Sequence, residues 1–402
     1  MQGRRPTNAV KAFWNEAAQE GRAVELWNYL QNDNSEKTTL LKGPIASDFK
    51  LAAKWFRALS EQGVDIDTYL NFGKAFFELP VGKDENVGEA HEILMEGVLR
   101  RWYDTDPKDD GGIVSPFREF FTLVAHGDTF AAQSARKELL TQLSNLTLID
   151  KEWTFSTLTP VLSWESNGAI ESWKSAIKMT WRNADLMEHI KKDFIETAKH
   201  FNELDDGHKW YAHIVVLMGV SRNKGYGSAS FGKILRDLPN EGRLQVAYDI
   251  QNRLHNSIDK IDACWKDEIG PFVKKMWPSD KTCMNPKIAG VLFAGIAYCN
   301  ASFYDAAQSL LRLYGGHVEM QDVAARLSHP PYGTPSRCKL YPDDVLDILS
   351  RVDMDKRDYA TALSVEDCLD DIRDVPVHNG DRTYESDDRY QKLLAYVRKA
   401  RN

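Results

Sequence analysis

The segment GSASFGKI, from Gly227 to Ile234, has the spacing of a phosphate-binding loop. In such a loop, backbone N–H groups surround the phosphates, the Lys contacts them, and a Ser or Thr after the Lys binds Mg²⁺. Here Ile234 stands where the Mg²⁺ ligand belongs, and Pro239 follows Lys233 too closely for the long helix that such a site requires. We therefore expect a flexible link and a short helix over residues 231–238, with no cofactor and no ATP hydrolysis.

The same link carries the best candidates for a small binding patch. Arg222, Lys224, Tyr226 and Lys233 bring three cations and one aromatic ring close together in the sequence. Such a combination contacts phosphate groups or acidic protein surfaces. We predict a binding patch at these four residues, with solvated loop charge as the alternative.

Metal-binding patterns are incomplete wherever acidic and histidine residues cluster. The stretch from His200 to His213 lacks HExxH and the i, i+4 pair that places two ligands on one helix face. Residues 104–110 resemble a calcium loop, but Lys108 occupies a ligand position and Asp109 occupies the position that requires Gly. We predict no metal site.

Motifs of nucleophilic catalysis are also missing, since the sequence has no GxSxG and no cysteine in a recognisable catalytic context. We expect no catalytic residues and a non-enzymatic protein, with an enzyme built from a dispersed site as an open alternative. The cysteines are well separated and form no CxxC pair, which indicates buried thiols in a reducing compartment rather than zinc ligands or disulfides. They are Cys264, Cys283, Cys299, Cys338 and Cys368.

The elements that must position all these residues are helices. Apolar residues recur at helical spacing along nearly the whole chain, as in Leu51, Trp55 and Leu59, and even the apolar run 213–218 fits a helix face better than a strand. Residues 287–300, KIAGVLFAGIAYCN, are apolar on nearly all sides. They predict a buried helix whose glycines permit close backbone approach.

Helix start signals recur along the chain. Ser115-Pro116, Asn285-Pro286 and Tyr341-Pro342 each precede a helical pattern with a residue that suits its first turn, and Ser364 begins a sequence that resembles a capping box. Helices are therefore expected to start near 115, 285, 342 and 364. Short polar links between helices favour antiparallel neighbours.

The predicted fold is all-α. Helix hairpins in series favour a degenerate, HEAT-like α-solenoid, and two stacked helical bundles are the alternative. The longer irregular stretches suggest three regions: an N-terminal helical region over 1–110, a central helical array over 111–330 and an acidic C-terminal helical region over 331–402.

Charge and hydropathy exclude several classes of protein. A net charge of −8 disfavours a protein that coats nucleic acid, and no apolar stretch reaches the roughly 20 residues that span a bilayer. The start of the chain lacks the apolar region of a secretory signal, so we expect a cytoplasmic protein. Residues 340–394 hold fifteen acids against seven Lys and Arg. There we predict an acidic ridge at Asp370, Asp371 and Asp374 that meets a basic partner.

Residues 221–376 combine the segments SFGKILRDLP, FVKKMWPSDK, ASFYDAAQSLLRLY and LYPDDVLDILSRV around an Ala- and Gly-rich helix. Together they resemble the helical C-terminal regions of large bacterial antiviral defence proteins. The resemblance covers under half of the chain, and it implies a sensing or scaffolding role without transferring any catalytic residue.

The sequence therefore favours a helical-repeat scaffold or recognition module that binds another protein, expected to be a larger assembly or an effector subunit. A helical array that binds nucleic acid is the less favoured alternative.

Overall fold

The computed structural model describes residues 49–61, 64–77, 85–180, 182–221, 225–330, 335–373, 375–376 and 383–402. Within these ranges the chain is helical, no β-strand forms, and extended pairing is limited to an isolated bridge between Pro376 and Thr383. The all-α prediction is therefore confirmed. None of the described helices is long and apolar enough to cross a membrane.

The chain divides into two compact units, Met1–Asp193 and Phe194–Asn402, which we call unit 1 and unit 2. This division falls inside the central array expected from the sequence. The predicted regions with boundaries after residues 110 and 330 stay a prediction.

The described helices of unit 1 are α1 (Phe49–Glu61), α2 (Ile66–Phe77), α3 (Glu85–Asp104), α4 (Phe117–His126), α5 (Phe130–Thr141), α6 (Leu143–Ile149), α7 (Lys151–Trp153), α8 (Ala169–Thr180) and α9 (Ala184–His189). A π-helical turn, Thr154–Leu158, continues α7. Helix α3 packs between α1 and α5, and α5 also packs on α8. The rings of Trp102 and Phe121 meet at right angles in this core.

A short helix, α10 (Lys191–Glu196), contains the division between the units. The remaining helices are α11 (Gly207–Val220), α12 (Ser228–Asp237), α13 (Asn240–Asn256), α14 (Ile261–Cys264), α15 (Gly270–Lys275), α16 (Pro286–Ile296), α17 (Phe303–Leu313), α18 (Gln321–Ser328), α19 (Arg337–Leu340), α20 (Pro342–Leu349), α21 (Tyr359–Arg373) and α22 (Asp388–Arg401).

Unit 2 contains two rows of helices, each packed in chain order. In the first row α11 packs on α13, α13 on α16, α16 on α18, and α18 on α21. In the second row α15 packs on α17 and α17 packs on α20. Along each row, a helix therefore packs on the helix of the same row that comes next in the chain.

Three of the four predicted helix starts are confirmed. Helix α4 begins at Phe117, directly after Pro116, and α20 begins at Pro342. The Asn285 side-chain oxygen accepts a hydrogen bond from the Ile288 N–H at 2.9 Å, so it caps α16 as expected.

The predicted start at Ser364 is wrong. Helix α21 begins at Tyr359, because the Asp358 carboxylate caps it five residues earlier than expected. One Asp358 oxygen accepts hydrogen bonds from the N–H groups of Ala360 and Thr361, at 3.1 and 3.3 Å. Ser364 lies inside the helix, where its hydroxyl donates to the Ala360 carbonyl.

Helix α16 confirms the expected buried helix and the role of its glycines. It ends at Ile296, four residues before the predicted end, and it is buried on nearly every side. A Cβ atom on Gly290 would lie 2.6 Å from the carbonyl oxygen of Glu319, and one on Gly295 would lie 3.3 Å from the Cα of Gln251. Both glycines therefore permit neighbouring backbone to approach α16.

Arginines cap the C-terminal ends of helices in both units. Their guanidinium groups donate to carbonyl oxygens at the last turn, where the helix leaves these acceptors unpaired and its dipole is negative. Arg243, for example, donates to the Leu235 carbonyl at 3.1 Å. The capping residues are Arg101 for α1, Arg136 for α4, Arg243 for α12 and Arg337 for the turn after α16.

All five cysteines lie in unit 2, and all are buried free thiols. Cys368, on α21, donates to the Ala324 carbonyl on α18 at 3.2 Å. This burial agrees with the thiol prediction from the sequence.

Candidate functional site

The GxxxxGK segment forms a helix rather than a loop around a phosphate. Gly227 precedes α12, while Gly232, Lys233 and Ile234 lie within this helix. The side chain of Ile234 is on the buried face of the helix. The expected short helix is confirmed, and it starts three residues earlier than predicted. Lys233 is exposed and its ammonium group lies 2.5 Å from the Asp237 carboxylate, one helical turn away.

The rest of the predicted basic patch is not assembled by the residues that the structure describes. Arg222 and Lys224 lie outside the described residues. Tyr226 is only 3% exposed, and its ring packs against Phe194 and Phe231. Its placement gives Tyr226 a packing role in the core of unit 2, because burying the ring removes it from water.

The predicted acidic ridge faces basic side chains of its own unit. Asp370 pairs with Arg373, and Asp371 lies 3.0 Å from the ammonium group of Lys339. Asp374 lies outside the described residues. The two described carboxylates of this ridge therefore already have cationic partners, which link α21 to α19 and to its own last turn.

A neighbouring set of acids also has a structural role. Arg389 at the start of α22 donates to Asp347 at 2.7 Å and to Asp343 at 2.8 Å, both on α20. Its guanidinium group also contacts Asp387, which precedes its helix. These ion pairs hold the last helix against α20, so much of the negative charge of the C-terminal region is compensated inside unit 2.

Two adjoining cavities of unit 2, of about 140 and 330 Å³, share the residues Glu319 and Gln321. We call them together the acidic groove. Its smaller part lies along α13 and α16 and includes Tyr248, Gln251, Lys287, Val291 and Asp322. Its larger part lies beside the start of α21 and includes His317, Asp353, Lys356, Asp358 and Tyr396.

The chain segment before α18 positions the centre of the groove. The Glu319 N–H donates to the Pro286 carbonyl at 3.0 Å, at the first turn of α16, and the Val318 N–H donates to the Arg351 carbonyl at 2.9 Å. The missing side chain of Gly290 leaves room for this segment. The backbone of Glu319 is therefore held where the two cavities meet.

The groove carries a surplus of negative charge. Four carboxylates line it against two ammonium groups. The side chains of Glu319 and Asp322 make no hydrogen bond or ion pair within the part of the chain that the structure describes. The hydrogen bond from the Thr361 hydroxyl lowers the pKa of Asp358, so that carboxylate stays ionised to a lower pH than an ordinary Asp. A cationic ligand would thus find unpaired carboxylates here.

The sequence did not single out Glu319 or Asp322. Both follow the Gly315-Gly316 break, in an ordinary link and first turn of a helix. The residues that make this a groove come from α13, α16 and α21, tens of residues away on either side. Only the packing order of the helices brings them together.

Metal ligation was not expected from the stretch that begins at His200. The His200 ring nitrogen lies 2.8 Å from the Glu203 carboxylate, one turn away on a 3₁₀-helix. Among the residues that the structure describes, no group of three or more His, Cys, Asp or Glu side chains is arranged to hold a metal ion.

No protein-family model matches this chain, and neither a curated protein nor a solved structure is detectably similar to it.

Proposed function

We propose that this chain is a non-enzymatic helical-repeat module that binds a basic segment of another protein in the acidic groove. The observation that carries the proposal is a pair of unpaired carboxylates on an open concave surface with surplus negative charge. Glu319 lies where the two cavities meet, and Asp322 lines the smaller one. Lys or Arg side chains of a partner would supply the missing cations through charge-assisted hydrogen bonds. Charge complementarity of this kind also speeds encounter and fixes orientation.

The two helix rows of unit 2 support a repeat architecture. Helix pairs that contact mainly their sequence neighbours are typical of α-solenoids, whose first row presents an extended surface for binding. We propose that unit 2 is a short, degenerate solenoid of the HEAT type. The acidic groove then lies where successive repeats meet, as binding sites of such arrays do.

A scaffold role in a larger assembly follows from the same proposal. A module that holds one segment of a partner brings two chains together without changing either chemically. The resemblance of residues 221–376 to helical regions of antiviral defence proteins suggests an effector subunit of such a system as the partner. Purification of the chain from its native host, with identification of co-purifying proteins, tests this part.

The groove itself is tested with a defined probe, a fluorescent peptide in which Arg and Ala alternate. We expect the double variant Glu319→Gln/Asp322→Asn to bind this peptide about tenfold more weakly, since each exposed charge pair contributes up to about 1 kcal/mol. Fluorescence anisotropy at fixed ionic strength measures the affinity.

A matched control removes the same charge elsewhere in unit 2. In Asp370→Asn/Asp371→Asn the two carboxylates already pair with Arg373 and Lys339, so we expect the affinity to stay within about twofold of the original. Equal losses in the two double variants would mean that the peptide senses only net charge. Unchanged binding in the groove variant would refute the proposal.

A further inference from the structure

A patch of aromatic and acidic side chains lies on α11 and α13, next to the acidic groove. The ring of His213 meets the ring of Trp210 edge to face, with centroids 6.1 Å apart. Its Nδ1 atom lies 3.6 Å from a carboxylate oxygen of Asp249 on α13. Tyr248, the neighbour of Asp249 on α13, lines the smaller cavity of the groove. We call Trp210, His213, Tyr248 and Asp249 the aromatic patch.

The two large rings of the patch are exposed although neither is needed to complete a core. Trp210 is 41% exposed and Tyr248 is 37% exposed. Exposed Trp and Tyr side chains are the residues that contribute most to protein interfaces, since each offers a broad apolar face with a polar atom at its edge. Tyr248 lines the smaller cavity of the groove, and Trp210 lies on α11, the helix that packs on α13.

The carboxylate of the patch is poorly compensated. The Asp249 side chain is 14% exposed, and its Oδ2 atom is buried without a hydrogen-bond partner among the described residues. Burial raises the pKa of Asp249, and the His213 charge and the Gln245 side chain only partly oppose this effect. The Oδ2 atom is enclosed, so a ligand meets the charge of this carboxylate rather than that oxygen, and the patch favours a positively charged ligand.

We infer that the aromatic patch is a subsite for an arginine side chain of the basic segment bound in the groove. A planar guanidinium group stacks on aromatic faces and also donates to carboxylates through a fixed fork of N–H groups. A lysine ammonium group is a more strongly hydrated point charge and uses such a surface less well. This inference rests on the proposed function, which requires only that the segment be basic.

The test compares two peptides in which Ala alternates with either Arg or Lys. We expect the Arg peptide to bind about fivefold more tightly, in keeping with the size of an exposed cation–π contact. Trp210→Ala is expected to remove this preference, because it weakens binding of the Arg peptide more than binding of the Lys peptide. Trp210→Phe keeps an aromatic face and is expected to retain most of the preference.

Tyr304→Ala is the matched control. Tyr304 is 60% exposed on α17, in the second helix row, and its loss is expected to leave both affinities unchanged. Equal binding of the two peptides by the original protein, or a preference that survives Trp210→Ala, would overturn the subsite. The proposed function is tested independently, by the change in affinity for the same peptides in Glu319→Gln/Asp322→Asn.

A direct measurement covers the case in which neither peptide binds tightly. The imidazole resonances of His213, assigned by comparison with His213→Asn, are followed by NMR during titration with N-acetylarginine amide and N-acetyllysine amide. We expect a larger saturating shift with the arginine derivative. No shift, or equal shifts with the two compounds, would overturn the inference.

Discussion

Arg337 is fully buried, yet its guanidinium group faces carbonyl oxygens rather than a carboxylate. It donates to Ala297 at 3.1 Å and Tyr298 at 3.3 Å, and to the side-chain oxygen of Asn300 at 2.6 Å. These acceptors belong to the turn after α16, where the helix dipole is negative and carbonyl groups lack partners. The buried cation is tolerated because its N–H groups donate to oxygen atoms that carry partial negative charge.

Replacing Arg337 should therefore reduce stability strongly. Arg337→Met keeps a long side chain but leaves the carbonyls of Ala297 and Tyr298 buried without donors, and we expect the free energy of unfolding to fall by about 2–4 kcal/mol. Urea denaturation followed by circular dichroism measures the change. Arg312→Met, at an exposed position of α17, is the control and should stay within about 0.5 kcal/mol. A fully stable Arg337→Met would contradict the capping role.

The sequence predicts caps that act locally and misses those that act at a distance. Asn285 and Pro342 reveal helix starts because they act on the residues that follow them. Arg337 reaches acceptors about forty residues earlier in the chain, so only the fold shows its role. The charged neighbours of Tyr226 in the sequence predict that it belongs to a binding patch, but its burial depends on Phe194 and Phe231.

Helix α16 depends on the absence of a side chain at Gly290. The backbone of Glu319 crosses α16 at Gly290, and a Cβ atom there would lie 2.6 Å from the Glu319 carbonyl oxygen. Substitution must displace this backbone, together with the hydrogen bond from Glu319 to Pro286. The close approach thus fixes both the position of α16 and the centre of the groove.

Gly290→Ala is predicted to lower the free energy of unfolding by about 1–3 kcal/mol, through overpacking, although Ala is the better helix former by about 1 kcal/mol. Gly232→Ala in α12 is the matched control, because its nearest neighbours lie at an ordinary 3.7 Å. We expect that variant to be as stable as the original or slightly more so. Thermal unfolding compares the two variants. Stabilisation of both would contradict the prediction, because it would show that a Cβ atom fits at Gly290 without displacing the Glu319 backbone.

The periodicity of apolar residues predicts where helices form, but it does not predict which helices pack on each other. The spacing of apolar residues predicts helices over most of the described chain, and the burial of α16 follows from its lack of a polar face. The start of α21 differs from the prediction because Ser364 and Asp358 both suit a cap, and Asp358 is the residue that accepts the first N–H groups of the helix. The acidic groove was beyond prediction for a related reason, since it forms between helices that are distant in sequence.

For the whole molecule, the formal net charge overstates the negative charge that a partner can contact, because some carboxylates are already paired within the chain. The chain has a net charge of −8, but in the C-terminal region Asp343 and Asp347 pair with Arg389, and Asp371 pairs with Lys339. Those pairs stabilise unit 2 rather than attract partners. The sequence identified where acids accumulate, but it could not tell which of them are already paired.

Net negative charge also predicts weak binding of nucleic acid. We expect single-stranded RNA and double-stranded DNA to bind weakly at physiological salt, with any binding at low salt fading steeply as salt rises, because phosphate contacts release counterions. Fluorescence anisotropy with labelled oligonucleotides measures this. Tight binding at physiological salt that is abolished by Arg222→Glu/Lys224→Glu would favour a nucleic-acid-binding array instead.

Because of where the cysteines lie, the reaction of their thiols with a reagent reports the unfolding of unit 2. All five thiols are buried in that unit, and unit 1 contains none. A thiol reagent reacts only with sulfur that reaches solvent, so its rate of incorporation follows the opening of unit 2 without interference from the other half of the chain. Ligands that bind the groove should slow this labelling, which offers a way to screen for partners without attaching any probe to the protein.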